Sequence, residues 1–194
     1  MSAVRSPTNR LAIRKRVFDL IKTRSFSRPN KIKLASGKES TFYFNMKPTM
    51  LHPEGAALLS ELILENLKGV QVDYVGGLAV GAVPLLSPLS MLSHHRGTPI
   101  PSFFVRRSVK DHGTEQTVEG LTDPKELQGK SAVILEDVTT TGGSAMIAVK
   151  AAHNAGAKVI LVLSIVDREE GAADFFAAQK IEFRAIFRAS EFLA

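Results

Sequence analysis

One segment constrains the fold and chemistry of this chain more than any other. Residues 132–135 are four apolar residues in a row, a pattern typical of a strand buried on both faces. Two acids, Glu136 and Asp137, follow directly, and threonines, glycines and a serine fill residues 139–144. A turn of this composition that opens a helix presents free backbone N–H groups to an anion. The segment therefore predicts a phosphate pocket beside two carboxylates, which suits a phosphate ester that also carries hydroxyl groups or a metal ion.

Predicted strands and helices alternate along the rest of the chain. The predicted strands are residues 32–35, 41–45, 72–75, 102–105, 132–135, 158–166 and 183–187. The predicted helices begin at Thr8 or Asn9, at Pro53, at about Val83, at Ser144 and at about Ala172. The first two strands are joined by Ser36, Gly37 and Lys38, which favours a hairpin. The alternation favours an α/β fold with a mainly parallel central sheet flanked by helices.

Polar or glycine residues follow four of the predicted strands. They are residues 76–77, 106–107, 136–137 and 167–168. Open α/β sheets bind ligands beyond the carboxyl ends of their strands, which all lie at one edge. The sequence therefore predicts a single site to which these four strand ends contribute.

A polar segment over residues 106–120 has almost no apolar content and is predicted to be a mobile loop. It begins with Arg106, Arg107, Lys110 and His112, which are cationic or can become so. Arginine forks match phosphate oxygens, and lysine supplies a point charge. From spacing alone, an anion-binding lid and a solvated basic loop remain equally open.

The composition limits the remaining possibilities. The chain has 194 residues, of which 44% are hydrophobic, and this suits one compact domain. It has no cysteine, so disulfide scaffolds and cysteine nucleophiles are excluded. Residues 1–16 lack the apolar centre of a secretory signal. We therefore expect a cytoplasmic protein. The net charge of +6 favours anionic ligands, but the basic residues are scattered, so we expect neither nucleic acid nor membrane as a partner.

Four motifs together resemble a known family. Residues 133–144 resemble the phosphoribosyl diphosphate (PRPP) motif of type I phosphoribosyltransferases. Residues 106–113, with Lys110-Asp-His-Gly113, resemble the catalytic loop of the orotate members of that family. Residues 36–45 resemble their N-terminal hairpin, and residues 166–171 resemble the strand end on their orotate side. The PRPP motif marks the superfamily, and the loop with the last segment narrows the resemblance to orotate.

The resemblance implies an architecture and a reaction. It implies a single domain of residues 1–194 with the type I phosphoribosyltransferase fold, in which about residues 1–50 form a helix-and-hairpin hood and about residues 51–194 form the core. The reaction joins orotate to the ribose 5-phosphate of PRPP and releases diphosphate and orotidine 5′-phosphate, in de novo pyrimidine (UMP) synthesis. It implies Mg²⁺ held mainly by the diphosphate and water, with no dedicated protein metal site. It also implies a homodimer in which the flexible catalytic loop reaches the partner's site.

The resemblance also implies roles for individual residues. Lys110, His112 and Asp137 would be catalytic. PRPP would bind to Arg106, Arg107, Lys110, His112, Glu136, Asp137, Val138, Thr139, Thr140, Thr141, Gly142, Gly143 and Ser144. Orotate would bind to Thr140, Arg168, Tyr43 and Phe44. Core packing remains open for Tyr43 and Phe44, and a surface ion pair with a neighbouring acid remains open for Arg168.

The chain departs from the family pattern at three positions. Ala35 and Val80 stand where many members have a lysine, and Glu136 stands where an aspartate is common. Lys33 or Lys38 could take over the role of the first lysine. Two other functions remain open: transfer to a purine base, which should lack Lys110 and Arg168, and a non-catalytic regulator built on the same fold.

Overall fold

The computed structural model describes residues 7–29, 32–33, 39–107 and 116–194. Its helices are α1 (Pro7–Arg24), α2 (Lys47–Met50), α3 (Pro53–Asn66), α4 (Val83–His95), α5 (Gly143–Asn154), α6 (Ala172–Ala178) and α7 (Ala189–Leu193). Its strands are β1 (Phe26–Ser27), β2 (Ile32–Lys33), β3 (Glu39–Ser40), β4 (Tyr43–Phe44), β5 (Tyr74–Gly76), β6 (Phe104–Arg107), β7 (Gln116–Glu119), β8 (Ser131–Thr139), β9 (Lys158–Asp167) and β10 (Glu182–Arg188). A short 3-10 helix (Pro124–Leu127) precedes β8.

The central sheet has the strand order β10-β9-β8-β5, and every neighbouring pair in it is parallel. Parallel backbone bridges from Val75 to Ser102 and from Leu78 to Val105 extend it beyond β5. All of these strands therefore end at the same edge. The register places Thr139, the last residue of β8, opposite Asp167, the last residue of β9.

Alternating side chains of β8 enter two separate core layers. Val133 and Leu135 pack on one face, with apolar side chains from α1, α3, α4 and α7. Ala132 and Ile134 pack on the other face, with side chains from α5 and α6. Successive side chains of a strand point to opposite faces, so an unbroken apolar run is what a doubly covered sheet requires. The predicted α/β fold with helices on both faces is confirmed.

The predicted N-terminal hairpin is only partly correct. Strand β2 pairs with β3 in antiparallel fashion, as expected for a hairpin, but β3 is Glu39–Ser40. The predicted second strand, residues 41–45, supplies β4, which pairs with β1 instead. The Phe26–Phe44 pair of this ladder joins an aromatic cluster with Phe18 and Phe192, so burial of four rings accounts for the non-local pairing.

The loop predicted over residues 106–120 is wrong at both ends. Strand β6 continues to Arg107, and β7 begins at Gln116 and pairs with β6 in antiparallel fashion. Arg106 lies opposite Thr117, and Phe104 lies opposite Glu119. Lys110 and His112 lie outside the described residues. Within the part of the chain that the structure describes, no helix is long and apolar enough to cross a membrane.

Candidate active site

The acid pair ends the buried part of β8. Glu136 is only 9% exposed, and its Oε2 atom is buried without a hydrogen-bond partner among the described residues. Burial, together with the negative charge of neighbouring Asp137, raises the pKa of Glu136 to about 8. Near neutral pH, Glu136 is therefore mostly protonated in the free protein and can donate as well as accept a hydrogen bond.

Opposing influences act on the pKa of Asp137. Burial raises its pKa, but the backbone N–H of Val138 and the positive charge of Lys47 act in the opposite direction. Lys47 lies in the first turn of α2. Lys47 could not be singled out from the sequence, because α2 and the end of β8 come together only in the folded chain.

The turn between β8 and α5 has the geometry that an anion site needs. Gly142, the N-cap of α5, has φ +90°, and a Cβ there would lie 2.8 Å from ring atoms of Phe175 and Phe176. Only glycine fits this combination of backbone angle and close approach. Thr141, Gly143 and Ser144 are exposed around it. The first N–H groups of α5 have no acceptor within the helix and remain available for an anion.

A second loop lies against the acid pair. A Cβ on Gly81 would lie 3.0 Å from Asp137 Oδ1, so the backbone of Gly81 lies close to that carboxylate. Val80 in this loop is 69% exposed. The loop therefore brings backbone groups, and an apolar side chain in place of a lysine, to the rim of the site.

Arg168 joins the site from the end of β9. Its backbone N–H donates to Thr139 O at 2.9 Å, which ties it to the first residue of the anion turn. The residue is only 5% exposed, and its Nε donates to Glu170 Oε1 at 2.8 Å. The sequence left open an ion pair between Arg168 and a neighbouring acid. The pair with Glu170 is present, and the arginine side chain in it is buried. A buried guanidinium with spare donors at a strand end is suited to binding a carboxylate.

The hood supplies further contacts to Arg168. Its Nη2 donates to Ser40 Oγ at 3.1 Å, and its Nη1 donates to Phe42 O at 3.4 Å. The guanidinium Cζ lies 4.2 Å from the centroid of the Phe42 ring. Sequence reasoning missed Ser40 and Phe42. Alternation along an extended segment, which places residues 40 and 42 on one side, was the available signal.

Comparison with known proteins identifies the family to which this site belongs. The model of the phosphoribosyl transferase domain matches residues 49–180. An orotate phosphoribosyltransferase from Rhodopseudomonas palustris strain TIE-1 is 57% identical over 182 residues, which cover 94% of this chain and 97% of that protein. The chain belongs to the orotate phosphoribosyltransferase family. The predicted family and enzyme class are confirmed.

Other orotate phosphoribosyltransferases agree in length and in fold. The protein of that name from Bradyrhizobium diazoefficiens is 55% identical over 94% of this chain and 97% of its own length. A crystal structure of orotate phosphoribosyltransferase from Mycobacterium tuberculosis in complex with PRPP has a TM-score of 0.76 and 30% identity, and covers 94% of this chain and 99% of that chain. The predicted type I phosphoribosyltransferase fold is confirmed.

The predicted site residues outside the N-terminal segment fall into three groups in this structure. The segment from Glu136 to Ser144 and Arg168 lie together at the ends of β8 and β9. Arg106 lies on β6, exposed, with its Nη2 2.6 Å from Glu119 Oε1. The side chain of Arg107, with Lys110 and His112, lies outside the described residues.

The two predicted aromatic residues of the hood differ in their surroundings. Tyr43 is 38% exposed, whereas Phe44 is 5% exposed, and its ring centroid lies 5.0 Å from that of Phe26 and 5.2 Å from that of Phe192. Phe44 therefore has the core packing that the sequence left open and little surface for a ligand. The orotate-binding role of Tyr43 stays a prediction.

Proposed function

We propose that this chain transfers the 5-phosphoribosyl group of PRPP to orotate, which yields orotidine 5′-phosphate and diphosphate. The observation that carries the proposal is the hydrogen bond between Arg168 and Thr139, because it joins a cation suited to a carboxylate to a turn suited to a phosphate. The names of the relatives, and the PRPP bound to the Mycobacterium protein, support the same two substrates.

The end of β8 is suited to the donor. The backbone N–H groups and hydroxyls of residues 139–144 would hold the 5′-phosphate of PRPP, at the N-terminus of α5. The Asp137 carboxylate would accept hydrogen bonds from a ribose hydroxyl. Protonated Glu136 could donate to the other hydroxyl, which would give its buried Oε2 the partner it lacks among the described residues.

The end of β9 is suited to the acceptor. Arg168 would hold the carboxylate of orotate, so that N1 of the pyrimidine faces C1 of the ribose. The C1–O bond to diphosphate breaks as the N1–C1 bond forms with inversion, and the N1 proton passes to water or to the departing diphosphate. Negative charge grows on the departing diphosphate as that bond breaks, and Arg106, Arg107, Lys110 and His112 would stabilise it.

We also propose Mg²⁺ as the metal of this reaction. Within the described ranges of the chain, no three acids or histidines lie together as metal ligands. The carboxyl groups beside the proposed PRPP pocket are Asp137 and a mostly protonated Glu136. Mg²⁺ usually keeps several waters and binds through substrate phosphates with one or two carboxylates. The set fits an ion carried mainly by the diphosphate, where it would neutralise charge on the leaving group.

A homodimer is the proposed assembly. Leu51, Val80 and Met91 are large apolar side chains with at least 60% of their surface exposed. If they lie on one patch, such side chains would favour burial against another copy of the chain. Light scattering after gel filtration would give twice the mass of one chain if the proposal holds, and one chain mass if it fails. The cytoplasmic location stays a prediction.

The reaction itself is tested by mixing the protein with PRPP, Mg²⁺ and orotate and following orotate absorbance. We expect loss of orotate that depends on PRPP and matches the diphosphate released. Matched reactions with adenine or hypoxanthine instead of orotate should show no consumption. Consumption of a purine base with orotate untouched would overturn the choice of acceptor, and no diphosphate with any base would overturn transferase activity.

A further inference from the structure

The guanidinium of Arg168 is held by two parts of the chain, one adjacent to it in sequence and one far from it. Glu170 binds its Nε from the turn after β9. Ser40 and Phe42 of the hood bind its two terminal nitrogens and lie 128 and 126 residues away in sequence. The Phe42 ring lies beneath the same group, 4.2 Å from its central carbon.

These contacts fix the plane of the guanidinium. An arginine offers five N–H donors in one plane, and a bound carboxylate lies in that plane when both of its oxygens are held. Each of the three nitrogens donates once to a partner among the described residues, which leaves one N–H on Nη1 and one on Nη2 for a ligand. The Phe42 ring, whose centroid lies 4.2 Å from Cζ, packs against the guanidinium and restricts its rotation.

The plane matters because of the shape of the acceptor. The carboxylate of orotate is conjugated with its pyrimidine ring, so the two favour one plane. An arginine whose plane is fixed therefore also fixes the plane of the incoming ring, and with it the direction of N1. Glu170 keeps the buried cation neutralised while no carboxylate is bound, since its Oε1 lies 2.8 Å from Nε.

We propose that Phe42 is a positioning residue that acts through Arg168 to select acceptors whose carboxylate is coplanar with a flat ring. The proposal rests on the proposed orotate-transferase function. Phe42 stabilises one orientation of the guanidinium through its ring face and through its own carbonyl oxygen, which accepts from Nη1.

The first test compares Phe42→Leu with Phe42→Tyr. We expect Phe42→Leu to raise the KM for orotate about tenfold and to leave the KM for PRPP within about twofold of the original, because only the acceptor meets Arg168. Phe42→Tyr keeps an aromatic ring beside the guanidinium, so its KM for orotate should stay near that of the original chain. The matched control is Phe26→Leu, which removes a half-buried hood ring that packs on Phe44 and Phe192 and should lower the melting temperature without raising the KM for orotate.

A double-mutant cycle separates positioning from direct contact. Phe42→Leu should lower kcat/KM for orotate about tenfold in the original chain and change it less than about twofold in the Arg168→Ala background. Equal losses in both backgrounds, or no loss in the original chain, would overturn the proposal. An original chain that leaves orotate unconsumed would refute the proposed function, and that outcome is visible before any variant is made.

Discussion

The backbone N–H of Arg168 lies 2.9 Å from the carbonyl oxygen of Thr139 and donates a hydrogen bond to it. Thr139 begins the turn that suits a phosphate, and Arg168 carries the guanidinium that suits a carboxylate. The sheet register, which sets Thr139 opposite Asp167, makes this bond possible. The donor and acceptor halves of the proposed site are therefore fixed to each other by main chain.

Loss of the Arg168 side chain should weaken the binding of orotate and leave the binding of PRPP nearly unchanged. We expect Arg168→Ala to raise the KM for orotate about 100-fold, because a charge-assisted hydrogen-bonded pair is lost in a buried place. The KM for PRPP should change little. Steady-state kinetics with each substrate varied in turn would measure both values.

A matched control exists on β10. Arg184 also pairs through its Nε with an acid two residues away, Glu182, but this pair is exposed. Arg184→Ala should leave both KM values near those of the original chain. An unchanged KM for orotate in Arg168→Ala would refute the assigned contact.

The stability of the free protein should depend on the protonation of Glu136. Its pKa lies near 8 in the folded chain and near 4.5 in the unfolded chain. The unfolded chain therefore loses this proton first as pH rises. The contribution of protonated Glu136 to the free energy of unfolding is present below about pH 4.5 and is lost between about pH 4.5 and 8.

Glu136→Gln removes this titration while keeping the shape of the side chain. We expect the variant to be more stable than the original chain at pH 8.5, by about 2–4 kcal/mol, and the difference to vanish near pH 5. Urea unfolding at several pH values would measure it. A difference that is constant with pH would show that Glu136 is ionised in the folded chain.

Gly142 should tolerate no side chain. Its φ of +90° and the 2.8 Å approach of a Cβ to Phe175 and Phe176 combine backbone strain with a collision. We expect Gly142→Ala to lower the free energy of unfolding by about 2–4 kcal/mol. Gly69→Ala is the control, since Gly69 has φ +77° and nothing within 4 Å of its Cβ, and it should cost only about 1 kcal/mol. Equal losses of stability in the two variants would mean that the rings of Phe175 and Phe176 move aside at no cost.

Lys110 should serve the chemical step rather than the fold. By resemblance to the family loop, Lys110→Ala should lower kcat at least about 100-fold with an unchanged melting temperature. The control is Lys130→Ala, because Lys130 is exposed next to the start of β8, at the opposite end of the sheet. Near-full turnover in Lys110→Ala would remove this residue from the mechanism.

The parts of the structure that the sequence predicted depend on local patterns. The run of apolar residues before Glu136 and the glycines after it are adjacent in the chain, so a strand, a turn and the start of α5 could be predicted together. The boundaries of α4 and α6 follow from helical spacing, with Pro84 and Gly171 at their starts.

The parts that the sequence did not predict depend on tertiary contacts. Strand β1 has only two residues, too short to show alternation, and its pairing with β4 is stabilised by rings from α1 and α7. The partners of Arg168 in the hood are more than 120 residues away in sequence. The raised pKa of Glu136 arises from burial, and it could not be inferred from an acid pair in a sequence.

Orotidine 5′-phosphate tests the central claim most directly, because this one molecule carries both the phosphate and the carboxylate. A crystal structure of its complex with the protein should show the 5′-phosphate on the N–H groups of residues 140–144 and the carboxylate on Arg168. A phosphate bound away from the start of α5, or a carboxylate that does not contact Arg168, would contradict the account.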